Sequence, residues 1–397
     1  MNIKLNKNDE KLRFPAIIAI IFILISPTEL VAETEKFYYL VLGVVLMIYV
    51  FFIKRKIRIV DSLLLVLYIF WAWITCIWTP STGYYTELLV KTITIAFLFF
   101  QLQFDYSHYE IEKIKDAFLW QLVIIVIIII LFGSTAMDGR LWLVRGESST
   151  DPNCIVGWVL IPLSIALQRI FDLNRKFFSR VLMFLGAVTA IIICFATASR
   201  SGTISMLVIV VFSILYIVRL YILKKPLVSI IVIIFAIILA IVVYNNIPIV
   251  MQNRFNEASS NTFGGRLTIW RVLFTALNQS PLHYIIGFGE NSVNNYTSFL
   301  GRGHIAHNTF LDILFCQGII GLIPVCVFLF KCLKNTFKND KCVFILLCGI
   351  IILANTLNTF SQRFFLLMFF IAGIIKNNAR TNEYYGATEQ PDRVPIT

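Results

Sequence analysis

Runs of apolar residues, each roughly 17–25 residues long, recur along the whole chain and are separated by short polar segments. Helices of this length can cross a lipid bilayer. The pattern therefore predicts an all-α integral membrane protein with about twelve transmembrane helices. The predicted spans are residues 14–33, 37–53, 59–78, 86–103, 116–133, 154–170, 181–197, 203–222, 226–244, 309–330, 342–358 and 363–375.

Two connections between these spans are long, and residues 1–397 otherwise form a single polytopic membrane domain. The first notable loop, residues 134–153, is rich in small and polar residues. The second, residues 245–308, lies between spans nine and ten and carries aromatic residues among apolar neighbours. A loop of that length and composition is typical of a functional segment, so we expect it to contain short helices.

One stretch of the second loop, residues 264–281, predicts an amphipathic helix. Arg266, Trp270, Leu273 and Leu277 recur at helical spacing, after a pair of glycines and before a proline. Such a helix can lie on the membrane face as a lid or a substrate platform.

Composition agrees with the membrane interpretation. The chain is 58% hydrophobic and only 14% charged, with a mean hydropathy of +0.82. A soluble domain carries about a quarter charged residues. A soluble globular protein is therefore excluded.

The net charge of +12 follows the membrane topology and does not indicate a nucleic-acid partner. With the N-terminus in the cytoplasm, the inner segments hold 24 of the 34 Lys and Arg residues. Positive residues concentrate on the cytoplasmic side of membrane proteins, so both termini are predicted to be cytoplasmic. The inner segments are residues 1–13, 54–58, 104–115, 169–180, 219–225, 331–341 and the C-terminal tail.

The basic residues of the outer segments are mostly arginine. Eight of these ten are Arg, whereas the inner set has nine Arg and fifteen Lys. The planar guanidinium suits bidentate recognition of phosphate oxygens, so the set indicates an anionic ligand on the outer face. Pairing with outer carboxylates or lipid headgroups is the alternative for any single arginine.

His304 and His307 stand three residues apart immediately before span ten. A metal site needs three or four ligands, and no third ligand is close in sequence, so no metal is predicted. Thr309 and Asp312 match a capping box that would open the helix. His307 would then lie before the helix N-terminus, where the dipole favours a neutral imidazole suited to general-base chemistry. The alternative is a loop histidine without function.

Four further outer residues are candidates for binding an anion or a sugar. Arg200 follows a very short turn between two spans, where Ser201 or Thr203 can cap the next helix. Arg266 begins the amphipathic helix. Arg145 lies in the loop before span six, and Asn153 is the last residue of the Asp-Pro-Asn turn that precedes this span. A snorkelling arginine, a solvated surface charge and an ordinary helix cap remain the alternatives.

Three motifs in this order resemble the superfamily of O-antigen polymerases and O-antigen ligases, bacterial envelope glycosyltransferases, over essentially the whole chain. The first is a Thr-x-x-Arg turn, the second is Gly-Arg-x-x-x-Trp, and the third is His-Asn followed after nine residues by Gly-x-x-Gly. They correspond here to Thr197–Arg200, Gly265–Trp270 and His307-Asn308 with Gly318 and Gly321.

The resemblance implies transfer of a lipid-linked glycan at the outer face of the bacterial cytoplasmic (inner) membrane. Arg200 and Arg266 would hold the pyrophosphate of an undecaprenyl-pyrophosphate-linked oligosaccharide, and His307 would activate the acceptor. Arg145, Arg271, Asn153, His304 and Asn308 are further substrate-binding candidates, although His304 has no fixed counterpart in the family pattern. The implied partners are the lipid bilayer, a flippase and a chain-length regulator.

We predict a metal-independent glycosyltransferase without a cofactor, because paired guanidiniums can stabilise a pyrophosphate leaving group. The resemblance favours a polymerase, whose acceptor is another lipid-linked repeat, over a ligase, whose acceptor is lipid A-core. A transporter or flippase for the same lipids is the rival class. It predicts internal repeats, broken helices and charged residues in mid-membrane.

Overall fold

The computed structural model describes most of the chain, and every structural statement below concerns that part of it. The described residues are 11–31, 35–50, 61–135, 139–145, 148–172, 175–221, 266–300, 305–357 and 362–388, together with residues 52, 230, 234, 249 and 251–253. The predicted span 226–244, the first part of the large loop and His304 therefore lie outside the description.

Helices make up most of the described chain, as the apolar runs predicted. They are α1 (Phe14–Ile25), α2 (Glu35–Tyr49), α3 (Leu63–Thr75), α4 (Tyr84–Gln101), α5 (His108–Phe132), α6 (Pro152–Ile170), α7 (Phe177–Ala196), α8 (Arg200–Tyr221), α9 (Arg266–Leu277), α10 (Pro281–Ile286), α11 (Val293–Thr297), α12 (Thr309–Asn339), α13 (Lys341–Ala354) and α14 (Arg363–Thr388). Short 3₁₀ turns follow α1 and α11, at Ser26–Leu30 and Ser298–Leu300.

Helix lengths agree with a multi-pass membrane protein. Five described helices are long and apolar enough to cross a membrane, and four shorter apolar helices accompany them. Each predicted span except 226–244 overlaps a described helix. A total of twelve membrane crossings stays a prediction.

The first notable loop is more regular than its composition suggested. Strands β1 (Gly133–Thr135), β2 (Leu141–Arg145) and β3 (Ser148–Thr150) pair in that order as an antiparallel sheet. Leu143 is 2% exposed and Val144 is 40% exposed, which is the alternation of a strand with one buried face. The hydroxyl of Thr150 donates to the carbonyl of Leu30 at 2.7 Å, and this bond fastens the sheet to the turn after α1.

Helices α6 and α14 form the centre of the bundle. In α6, 83% of the 18-residue stretch that could span a membrane is buried, compared with 22% of the corresponding stretch in α7. The apolar side chains of α7 therefore face outward, as in a helix that contacts lipid. Trp158 of α6 packs edge-on against Phe364 of α14, with ring centroids 6.0 Å apart. These two helices therefore connect the surrounding ones.

Successive connections fall alternately at the two ends of the bundle. We call one the His307 end; it contains residues 26–30, 76–83, 133–135, 139–145, 148–151, 197–199, 287–300 and 305–308. The other, the Asp340 end, contains residues 102–107, 171–172, 175–176 and 340. All the candidate residues within the described chain lie at the His307 end.

Candidate functional site

His307 lies in a backbone conformation that few side chains adopt. Its φ angle is 49°, in the left-handed region, and the side chain is half-buried. Such a conformation costs on the order of 1–3 kcal/mol and persists only where the surroundings enforce it. The residues on both sides of His307 provide that enforcement.

Ala306, on the N-terminal side, is held by α9 of the same loop. Its carbonyl accepts a hydrogen bond from Nε1 of Trp270 at 2.8 Å, and its side chain is fully buried. Trp270 lies one helical turn after Arg266 on α9. This bond places the first turn of α9 beside the His307 backbone.

Asn308, on the C-terminal side, caps α12. Its Oδ1 accepts from the backbone N–H groups of Phe310 and Leu311, each at 3.0 Å. The predicted capping box of Thr309 and Asp312 is therefore wrong, because Thr309 is already the first helical residue. The Thr309 hydroxyl instead donates to the carbonyl of Leu357 at 2.7 Å, joining the start of α12 to the turn after α13.

The amphipathic helix in the large loop is confirmed as α9. Ile269, Leu273, Ala276 and Leu277 are buried on one face, whereas Arg271 is exposed. Arg266 is half-exposed at the first position. The proline that we expected to close this helix instead begins α10, whose cap is Ser280.

The turn between α7 and α8 is the second place where candidate residues meet. Arg200 is the first residue of α8 and is half-exposed. Ser199 provides the cap, because its Oγ accepts from the N–H of Gly202 at 3.0 Å. The predicted caps, Ser201 and Thr203, are too far into the helix for this role.

Arg140 and Asn153 hold this turn in place. The Nε of Arg140 donates to the carbonyl of Thr197 at 3.0 Å. Oδ1 of Asn153 accepts from the Ser199 hydroxyl at 2.5 Å, and its Nδ2 donates to Asp151 at 2.7 Å. Protein atoms thus engage both polar ends of Asn153, which favours a supporting role for this residue.

The predicted site residues therefore form two groups. His307, Asn308 and α9 form one, and Arg200 and Asn153 form the other. Helix α14 contacts an element of each group, since Phe364 at its start packs on Trp158 of α6 and α14 also packs against α12. The side chain of Arg145, at the end of β2, lies outside the described chain, as does His304.

An aromatic cluster lies beneath the His307 segment. Phe288 stacks on Phe315 with centroids 4.7 Å apart, and Tyr296 contacts both rings. Burial raises the pKa of the Tyr296 phenol, so this side chain is neutral at physiological pH. The cluster fixes the segment after α10 against the first half of α12.

Sequence reasoning missed a buried polar network below this cluster. Nζ of Lys91 lies 2.8 Å from Oε1 of Glu290, and both side chains are at most 5% exposed. Nε2 of Gln317 donates to Oε2 of Glu290 at 2.7 Å. Lys91 is the eighth residue of α4, too deep for a flanking lysine, and this position is the signal that could have revealed the network.

The positions of His307, Leu311, Leu314, Gly318 and Gly321 have the spacing of one helix face, but this face is not continuous. Gly318 has φ 66° and ψ −168°, which interrupts α12 after its first nine residues. A Cβ at this position would lie 2.2 Å from the carbonyl oxygen of Ile285. Glycine at this position therefore allows α10 of the large loop to approach α12 closely.

A cavity of about 930 Å³ lies at the opposite, Asp340 end. Its walls carry Lys115, Arg169 and Arg175, which pair with carboxylates of the same surface. These internal pairs account for its charge, so we assign the candidate site to the His307 end. Within the described residues, no group of three or more His, Cys, Asp or Glu side chains could hold a metal ion.

Comparison with known proteins gives one family match. Residues 185–326 match the family model described as O-antigen ligase, and Arg200, Arg266 and His307 all lie within the matched segment. The comparison with curated proteins finds no match. Residues 185–326 are thus similar to the O-antigen ligase family, and the apolar helices indicate a multi-pass membrane protein.

Proposed function

We propose that this chain is a metal-independent polysaccharide polymerase of the O-antigen type. It transfers a glycan from undecaprenyl pyrophosphate to another lipid-linked repeat unit, with inversion at the anomeric carbon. The observation that carries the proposal is the hydrogen bond from Trp270 to the carbonyl of Ala306. It brings two of the three family motifs, those of Arg266 and His307, to one place.

His307 is the proposed general base. It removes the proton from the acceptor hydroxyl as that oxygen attacks the anomeric carbon, and the bond from this carbon to the pyrophosphate oxygen breaks. The negative charge leaves with undecaprenyl pyrophosphate. The enforced backbone at His307 supports this role, because a general base acts only within hydrogen-bond reach of its proton.

Arg200 and Arg266 are proposed to clamp the pyrophosphate. Both are the first residues of helices, where backbone N–H groups and the helix dipole also favour an anion. Arg271, which is exposed on α9, and Arg145 are proposed as further contacts to the lipid-linked donor. Asn308, whose cap uses only Oδ1, keeps its amide group for the substrate, and Asn153 is proposed to act by holding the turn before Arg200.

The proposed location is the bacterial cytoplasmic membrane, with the His307 end at its outer face. The distribution of Lys and Arg supports this orientation, since 24 of the 34 lie in segments predicted to be cytoplasmic. Both termini would then be cytoplasmic. A flippase would supply the donor, and a chain-length regulator is a further proposed partner.

Replacement of His307 by Ala tests the base. We expect turnover to fall about 10²–10⁴-fold, because that is the usual contribution of a general base. His108→Ala is the matched control, since His108 is exposed at the Asp340 end. Elongation of lipid-linked repeats by purified protein measures both. Full activity of the His307 variant in folded protein would refute the assignment.

The ligase alternative has specific support, because the matching family model bears that description. The two functions differ in what a deletion leaves on the cell. Loss of a polymerase leaves surface polysaccharide one repeat long, whereas loss of a ligase leaves none attached to lipid A-core. Analysis of the surface polysaccharide of a deletion strain therefore separates them.

Two observations also fit the transporter class, namely the interruption of α12 and the buried Lys91–Glu290 pair. In α12, however, carbonyls next to the interruption accept from backbone groups of the large loop, so those carbonyls do not line an ion pathway. Liposomes with lipid-linked repeat added only outside decide the matter. Chain elongation there supports the enzyme, and uptake without elongation supports the transporter.

A further inference from the structure

The Lys91–Glu290 pair joins parts of the chain that are 199 positions apart. Lys91 lies on α4, and Glu290 lies in the turn after α10. Removing two charges from water costs several kcal/mol per ion in real proteins, so a buried pair is weak evidence of stabilisation and calls for another explanation. The question is what this pair fixes.

Gln317 extends the pair to the end of the first segment of α12. Besides its bond to Glu290, its Nε2 donates to the hydroxyl of Tyr68 at 3.3 Å. The backbone carbonyl of Gln317 accepts a hydrogen bond from Nε1 of Trp71 at 2.7 Å. Gln317, which is 1% exposed, thus links Glu290 and α3 to α12.

The interruption at Gly318 allows the same region to bind the large loop through its backbone. The carbonyls of Phe315 and Cys316 accept from the N–H groups of Phe288 and Gly289, each at 2.8 Å. In an unbroken helix those carbonyls would bind residues one turn further along α12. The interruption therefore exchanges helical hydrogen bonds for bonds to the segment that carries Glu290.

The held segment is the short helix 309–317, and His307-Asn308 immediately precedes it. At 1.5 Å per residue this helix is roughly 13 Å long and is too short to bend appreciably. Its lower end is fixed by Gln317, and its upper end begins at the Asn308 cap. A displacement at Glu290 would therefore be passed to His307.

We propose that Lys91 and Glu290 are positioning residues, which fix the helix 309–317 and hence set the place of His307 for glycosyl transfer. This inference rests on the proposed function. The pair does not contact the substrate; it sets where the base is held. Two different readouts, one structural and one kinetic, are needed to test it.

Hydrogen exchange of Glu290→Gln provides the structural readout. This isosteric change removes the charge that faces Lys91. We expect exchange of the amides of Phe288 and Gly289, and of the first turn of α12, to become at least about tenfold faster, because their opening no longer breaks the pair. Helix α13 should be unchanged. Native exchange rates across 288–317 would overturn the proposal.

Glu87→Gln is the matched control. Glu87 also pairs with Lys91, at 3.1 Å, but it lies on the same helix and is 39% exposed. Its removal takes away a carboxylate partner of the same lysine and leaves the link to the large loop intact. Equal acceleration of exchange in both variants would also overturn the proposal, since the link to the loop would then be irrelevant.

Kinetics provide the second readout. In Glu290→Gln we expect kcat to fall at least about tenfold while the donor KM changes less than about twofold, because a displaced base slows chemistry more than binding. The double variant Lys91→Met with Glu290→Gln guards against misfolding, because it leaves no unpaired buried lysine. Native kcat in this folded variant would overturn the proposal.

The outcomes for the two proposals are separable. If His307→Ala retains full activity while Glu290→Gln still accelerates exchange over 309–313, the base assignment fails, and the attachment of this helix to the pair stands as a purely structural feature. If His307→Ala is inactive and Glu290→Gln behaves as wild type, only the positioning proposal fails.

Discussion

The two ends of the bundle use charged side chains in different ways. At the Asp340 end, Arg169 pairs with Glu112 at 3.3 Å, and Lys115 pairs with Asp340 at the same distance. Asp340 and Glu112 are 13% and 29% exposed, so these two carboxylates remain partly hydrated. Glu110 at the same end is only 1% exposed, but its partner Arg13 is 56% exposed. At the His307 end, Glu290 is 3% exposed beside Lys91.

The difference lies in what each pair connects. Arg169 and Glu112 join α6 to α5, two helices that also pack against each other, and Lys115 joins α5 to Asp340 at the junction of α12 and α13. Lys91 and Glu290, in contrast, attach a loop to the bundle, as do Glu29 and Arg363, which lie 2.9 Å apart and join the turn after α1 to the start of α14. We infer that the ion pairs at the His307 end hold loops of the candidate site in place, whereas the ion pairs at the Asp340 end join the ends of helices.

Glu290→Ala should show this difference most strongly. The change leaves the Lys91 ammonium buried without its cross-loop partner, and breaking a buried pair in this way costs about 3–5 kcal/mol. Unfolding in mixed micelles of a mild detergent and dodecyl sulfate measures the loss. A cost below that of an exposed pair would contradict the comparison.

Gly318→Ala should have the next largest effect. A left-handed φ costs on the order of 1–3 kcal/mol for a residue with a side chain, and the added Cβ would also collide with the backbone of Ile285. The same unfolding assay applies. Gly186→Ala on α7 is the control, because a Cβ there meets only a side-chain carbon at 3.7 Å. That control should be neutral or stabilised by up to about 1 kcal/mol.

The helical architecture was predictable because its physical cause is local. Each apolar run is long enough for the bilayer, and the amphipathic repeat from Arg266 to Leu277 identified α9. The start of α12 was predicted wrongly because the local sequence does not distinguish between two possible caps. Asn308 and Thr309 are both acceptable caps, and only the bond from Thr309 to Leu357, a tertiary contact, assigns the cap to Asn308.

The polar network was not predictable in the same way. Glu290 follows three loop residues, two of them glycines, and nothing local pairs it with a lysine 199 positions earlier. Gly318 is part of a sequence motif, but its need for glycine comes from the contact with α10, which depends on the large loop folding back onto α12. Sequence patterns predict elements well, whereas contacts between distant segments require the assembled structure.

Asn308→Ala is expected to have an intermediate effect at the His307 end. Loss of this cap frees the N–H groups of Phe310 and Leu311 and costs about 1 kcal/mol. Asn308→Asp keeps the acceptor and should keep the stability. Equal losses in the two variants would mean that another role of Asn308, and not the cap, is responsible.

The smallest effect is expected from Asp340→Asn at the opposite end. Asp340 caps α13 through the N–H groups of Cys342 and Val343, and it pairs with Lys115. Asparagine is an equally good cap, and Lys115 keeps its second carboxylate partner, Glu112, at 3.5 Å, so we expect this variant to cost only about 0–1 kcal/mol. Asp340→Ala removes the cap as well and should cost about 1 kcal/mol more.

The Asp340 pair of variants, measured in the same unfolding assay, also sets the scale for the comparison between the ends. If Asp340→Asn were as costly as Glu290→Ala, burial would not distinguish the two ends, because a partly hydrated pair would then contribute as much as a dry one. If the expected order holds, the loss in the free energy of unfolding is larger for the ion pair that is less exposed to solvent. The buried pair would then be the one whose removal also disturbs the loop that holds His307.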